Sequence, residues 1–167
     1  MRAFANLLLL FAIGLIFPFT RPAMAQTQEE ILSRGRYIFT SVQGCACHIP
    51  RNPDGSYNTN LYLAGAPSNP PPVGHPATVG WTTRAWKKVY ARNITPDPET
   101  GIGKWSEEQF LRAFKERTRS DGTKYDNSDM PWDSYKNMKE EDIRAIYKYL
   151  RTIKPISNKV PANIPPQ

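Results

Sequence analysis

The chain is short of the groups that enzymes most often use. Its 167 residues contain two cysteines and two histidines. No Ser/His/Asp arrangement and no paired carboxylates stand out, so a hydrolase is not indicated. No βαβ pattern surrounds the cysteines, which argues against a thiol-exchange enzyme. The two thiols are too close together to staple distant segments, so a structural disulfide is not their use, and a bond across one intervening residue would be strained. After the first two dozen residues no apolar run approaches the length of a membrane span. Lysines and arginines are scattered and are not interleaved with aromatics, so the usual footprint of nucleic-acid binding is missing.

What is present is concentrated in Gly44-Cys45-Ala46-Cys47-His48, which holds both cysteines and one of the two histidines. The nearest motif with a mechanism is C-x-x-C-H. There two thiols add to the vinyl groups of haem, and the histidine becomes the proximal iron ligand. This stretch is one residue shorter between the cysteines. At ~100° per residue, an α-helix would put Cys45 and Cys47 on roughly opposite sides. Cys47 keeps its place beside His48 and is the first thioether candidate. Cys45 reaches a second vinyl only where the backbone is extended or distorted. A plainer reading, two small buried residues next to a satisfied histidine, stands beside this one.

The first residues read as an export signal. Arg2 supplies a positive start, Leu7 to Phe17 the apolar run, and Ala23-Met24-Ala25 a small-x-small cleavage site before Gln26. The expectation is a signal peptide over 1–25 and a single periplasmic domain over 26–167, with an uncleaved N-terminal anchor as the alternative. The formal charge is +7, and loss of Arg2 and Arg21 with the leader lowers it. The remaining positive balance suits either steering toward an acidic protein face or an ordinary soluble surface.

Three longer helices and one short one are predicted in the remainder. Gln28 to Val42 places Ile31, Gly35, Ile38 and Val42 at helical spacing, with Leu32 and Phe39 widening the stripe; Gly35 inside it marks a close approach by another helix. Ser106-Glu107-Glu108-Gln109 is a capping box that opens a helix carrying Phe110, Leu111 and Phe114, suited at its end by Arg117 and Arg119 and broken at Asp121-Gly122. Lys139 to Ile153 aligns Ile143, Ile146, Tyr147, Leu150 and Ile153, with acids at the start and bases near the end. A short helix is expected over Thr83 to Ala91. Between Ile49 and about Thr82 there is no period of either kind, and Pro67, Pro70, Pro71, Pro72 and Pro76 fall close together. A loop of this length inside a small domain needs something to wrap, and a large flat apolar cofactor provides it. From about residue 154 the chain is polar and proline-rich.

Three stretches resemble the class I cytochromes c, and more narrowly the exported cytochromes and cytochrome subunits that serve periplasmic dehydrogenases. They are Arg34-Gly35-Arg36-Tyr37 leading to the Cys/His cluster, Asn93 through Ser106, and Met130-Pro131-Trp132 ahead of a helix ending Tyr147-Lys148-Tyr149-Leu150-Arg151. The resemblance implies an all-α, class I cytochrome c-like fold, with helices packed round one haem and long Pro-rich loops, and with the first and last helices crossing near the haem. It implies His48 as the proximal iron ligand, Met130 as the distal one, and haem c attached covalently through Cys47 and, less directly, Cys45. The function implied is electron transfer between a dehydrogenase donor and a cytochrome or oxidase acceptor, not catalysis. His75, in a Pro-Gly setting, and Met138, where the last helix begins, are rival distal ligands. Met130 could instead fill a core gap at the base of its loop. The competing function is a haem-free copper or zinc module using Cys45, Cys47 and His48, for which no fourth ligand is in sight.

Overall fold

The computed structural model describes residues 25–41, 43–66, 90–125, 130 and 132–164, the side chains of 43–45 excepted. The expected signal sequence, the run of prolines from 67 to 76, His75 and the helix expected from Thr83 lie outside these residues. Four α-helices are described: α1 (Gln28–Ser41), α2 (Glu107–Glu116), α3 (Trp132–Tyr135) and α4 (Glu140–Leu150). Two 3-10 helices, Gln43–His48 and Thr59–Leu61, complete the regular structure. Among the described residues there is no strand, only two isolated bridges, Arg51 with Tyr57 and Thr118 with Lys124. None of the described helices is long and apolar enough to cross a membrane.

The fold is organised by α1 crossing α4. Thr27 and Glu30 cap α1 reciprocally: Thr27 N–H donates to Glu30 Oε2 at 2.8 Å, and Glu30 N–H to Thr27 Oγ1 at 3.2 Å. The helices meet at Gly35, where a Cβ would stand 2.0 Å from the Ala145 carbonyl oxygen. Glycine at this position is therefore a steric requirement, as its place in the apolar stripe suggested. Arg34 donates through Nε to Asp142 Oδ1 at 2.5 Å, closing the crossing on its polar side. Phe39 and Tyr149 pack with ring centroids 5.9 Å apart on its apolar side. Ile143, Ile146 and Leu150 of α4 are almost wholly buried.

The capping box at Ser106 and Gln109 forms as expected. However, α2 ends at Glu116, before Asp121-Gly122. Arg117 takes a left-handed conformation (φ 54°) and returns its N–H to Arg112. Thr118 is buried and bridges to Lys124, which leaves Gly122 to turn a separate loop. Tertiary burial of one β-branched residue overrides the run of helix-compatible residues. Phe110 of α2 meets Tyr147 of α4 at 5.4 Å, and Tyr147 donates its hydroxyl to the Trp105 carbonyl at 2.8 Å. The last helix is shorter than expected at both ends, with Lys139 as N-cap and the chain leaving at Leu150 in a tighter turn.

The turn-rich passage from Asn93 to Gly103 is held by side chains. Asp97 accepts from the Thr100 amide and hydroxyl, both at 2.7 Å. A Cβ at Gly103 would lie 2.5 Å from the Pro96 carbonyl oxygen, so the second glycine lets the chain fold back on itself. The Asp97 carboxyl is held below the ordinary range, first by the Thr100 hydroxyl and then by the Thr100 amide. A depressed folded pKa means that its stabilisation is complete above the unfolded value, ~3.9, and fades as pH falls through the folded one. Urea midpoints of the parent and Asp97→Asn should therefore differ at neutral pH, and the gap should narrow in acid. A gap of constant size would show that the carboxylate charge contributes nothing.

The segment 155–164, which carries no period in the sequence, is packed across the molecule. The Ile156 carbonyl accepts from Asn93 Nδ2 at 2.8 Å, and Asn158 N–H donates to Thr100 Oγ1 at 2.9 Å. Asn158 is buried. Its amide donates to the carbonyls of Ala64 at 2.8 Å and Gly65 at 3.2 Å.

Candidate cofactor site

A cavity of about 330 Å³ opens between these elements. Phe39 of α1, Phe110 and Phe114 of α2, and Ile146 and Leu150 of α4 give it an apolar and aromatic wall, completed by Ile102, Trp105 and Trp132. His48 and Met130 both line it. A mainly apolar cavity with a few convergent polar groups is the ordinary form of a cofactor site.

His48 closes the 3-10 helix Gln43–His48 and is only 6% exposed. Its Nδ1 lies 2.6 Å from the Arg92 carbonyl oxygen. A carbonyl can only accept, so Nδ1 carries the proton and Nε2 keeps its lone pair. Burial pushes the His48 pKa down against the smaller opposing effect of the bond to Arg92, and the net lowering favours the neutral ring that ligates metals. The main chain is held as well: Gly65 N–H donates to the His48 carbonyl at 2.8 Å. Segments 63–66 and 91–94 are themselves joined, Ala66 N–H to Ala91 O and Ile94 N–H to Leu63 O, both at 3.0 Å.

Met130 enters from the loop before α3. Its carbonyl accepts from Trp132 N–H at 2.7 Å. Trp132 is anchored by stacking on Tyr125 (4.9 Å) and by an edge contact with Tyr135 (6.3 Å). Met138 lines the same cavity, so the structure brings both methionines to it. Ser128, Asp129 and Pro131 lie outside the described residues.

The cysteine spacing takes a form that the sequence did not suggest. The segment is 3-10, not α, so positions three apart fall one full turn apart. Cys45 and His48 stand at such backbone positions. Cys47 is a free, exposed cysteine. Among the described residues no three His, Cys, Asp or Glu groups come together as a metal cluster. Sequence reasoning missed the Arg92 carbonyl and the segment 155–164, because neither sits in a motif.

A buried neutral imidazole, a thioether and aromatic walls meet at one cavity among the described helices, an arrangement suited to a cofactor. No protein-family model matches the chain. Among curated proteins it is 32% identical over 148 residues to one of the subunits of the nicotinate dehydrogenase of Pseudomonas putida, covering 89% of this chain and 11% of that protein. It is 31% identical over 143 residues to the fructose dehydrogenase cytochrome subunit of Gluconobacter japonicus, covering 85% and 25%. It is also 31% identical over 154 residues to the cytochrome c subunit of the quinone alcohol dehydrogenase of Gluconobacter oxydans, covering 90% and 28%. The chain is similar to cytochrome c subunits of dehydrogenases, which supports its resemblance to the cytochromes c. It spans from about a tenth to under a third of the length of these three relatives.

Proposed function

We propose that this cavity holds one covalently attached haem c, with His48 and Met130 as axial ligands. The chain then passes single electrons from a dehydrogenase to a cytochrome or oxidase, without being the catalyst, after export to the periplasm by its leader. The observation that carries the reading is His48, buried, with Nδ1–H given to Arg92 and its ring on a cavity shared with Met130. The names of the relatives support it, since two of the three are called cytochrome subunits of dehydrogenases.

When bound, haem supplies a one-electron iron couple, and a His/Met pair raises its potential. The chain's own residues do the rest. The Arg92 carbonyl fixes the tautomer and orientation of His48 and makes its Nε2 more basic. Phe39, Trp105, Phe110, Ile146 and Leu150 give the site its apolar wall. With His48 and Met130 both holding the iron, no place would be left open for small-molecule chemistry. Cys47 would anchor the group by a thioether, and Cys45, in the same 3-10 turn, would be the candidate for a second one. The copper or zinc alternative has less support, because no three His, Cys, Asp or Glu groups come together among the described residues.

Mass spectrometry of the exported protein, made in a host competent in haem attachment, tests this. One haem adduct should survive acid extraction, and Cys47→Ser should lose most of it. Cys45→Ser should keep an adduct with one thioether. A colourless, stably folded protein would refute the reading, and copper without iron would favour the alternative.

A further inference from the structure

We infer that Arg92 and the segment 155–164 act as positioning elements for His48, a role that rests on the haem reading for its purpose but not for its geometry. His48 is gripped at two points. Its ring donates to the Arg92 carbonyl, and its main-chain carbonyl accepts from Gly65 N–H. Both gripping residues are tied to the same distant segment. The Arg92 guanidinium donates through Nη1 to the Pro161 carbonyl at 2.6 Å and through Nη2 to Asn163 Oδ1 at 2.7 Å. The Gly65 carbonyl accepts from the buried Asn158 amide at 3.2 Å. One strap therefore braces both hands that hold the imidazole, although it stands more than a hundred residues away in sequence and is not among the residues lining the cavity, Asn163 excepted.

A hydrogen bond to a ligand's far nitrogen both orients the ring and raises its basicity. Loosening the strap frees the Arg92 carbonyl to shift, weakens that bond and makes Nε2 a poorer donor to an oxidised iron. The direction follows: strap variants bind haem but show a higher reduction potential, with the His48 ring more mobile.

The test compares the parent with Arg92→Ala and, as the milder change, Asn163→Ala, which cuts one of the same bonds together with the bond that Asn163 Oδ1 accepts from Tyr90 N–H at 3.2 Å. NMR hydrogen exchange of the His48 Nδ1 proton is measured beside that of the Ile146 amide in α4, which reports global opening. In Arg92→Ala the Nδ1 proton should exchange about tenfold faster relative to Ile146, the scale of one lost charge-assisted hydrogen bond, and the haem-loaded protein should show the raised potential. Asn163→Ala should move both in the same direction by less. Parallel acceleration of both protons, or an unchanged ratio in Asn163→Ala should Arg92→Ala fail to fold, would overturn the proposal and leave the strap as a stabilising element only. A protein without haem would defeat the functional reading while leaving the exchange ratio measurable, so the two failures are distinct.

Discussion

Replacing Gly35 by alanine should cost about 2 kcal/mol or more of stability, for one added methyl group. The new Cβ would lie 2.0 Å from the oxygen and 2.5 Å from the carbon of the Ala145 carbonyl, and 3.0 Å from the Ile146 nitrogen. All three are backbone atoms, so no side chain can swing aside. Relief requires α1 and α4 to move apart, which puts the cost at or beyond the upper end of the ~1–3 kcal/mol typical of overpacking. Alanine's better helix propensity returns only ~1 kcal/mol. Against a total stability on the order of 5–15 kcal/mol this is large. The separation would also disturb the cavity, since Phe39 comes from one helix and Ile146 and Leu150 from the other. Gly55→Ala is the comparison: it has a positive φ of 86° but nothing within 4 Å, so it should cost only what the left-handed backbone exacts, ~1 kcal/mol. Urea denaturation of both variants decides the matter. A Gly35→Ala protein as stable as its parent would mean that the crossing is looser than described.

The second large effect is expected at the distal side. Met130→Leu should abolish the thioether-to-iron charge-transfer absorption and lower the reduction potential on the order of 0.1 V, within the ~0.8 V range over which axial ligands act. Met138→Leu should leave both unchanged. The comparison matters because both methionines line the cavity, and leucine conserves enough volume that neither change should unfold the protein. If Met138→Leu carries the effect instead, the ligand assignment moves to the start of α4 while the haem reading stands. If neither variant alters the spectrum, methionine ligation itself is wrong.

Much of the scaffold was legible in the sequence. The apolar period around Gly35 and that from Ile143 to Leu150 named the two helices that cross, and Ser106-x-x-Gln109 named the start of α2, because capping and amphipathicity are local and repeat every turn. His48 and Met130 were singled out by their neighbours, and both reach the cavity. The end of α2 was not legible: Arg117 to Ser120 are compatible with helix, yet Arg117 turns left-handed and Thr118 is buried against the rest of the fold. The 3-10 winding of Gln43–His48 was also missed, since the same residues would suit an α-turn.

The sequence by itself determined which stretches coil, which face of each turns inward and which residue types could meet an iron atom, because these are properties of neighbours a few positions apart. Only the tertiary structure decided which carbonyl holds the His48 ring, which nitrogen of that ring carries the proton, and that the polar segment after residue 154 packs against the residues that hold it. Those choices are hydrogen bonds between residues tens of positions apart, such as His48 with Arg92 and Asn158 with Gly65. Such bonds leave no period or motif, and they exist only once the chain has brought the partners together.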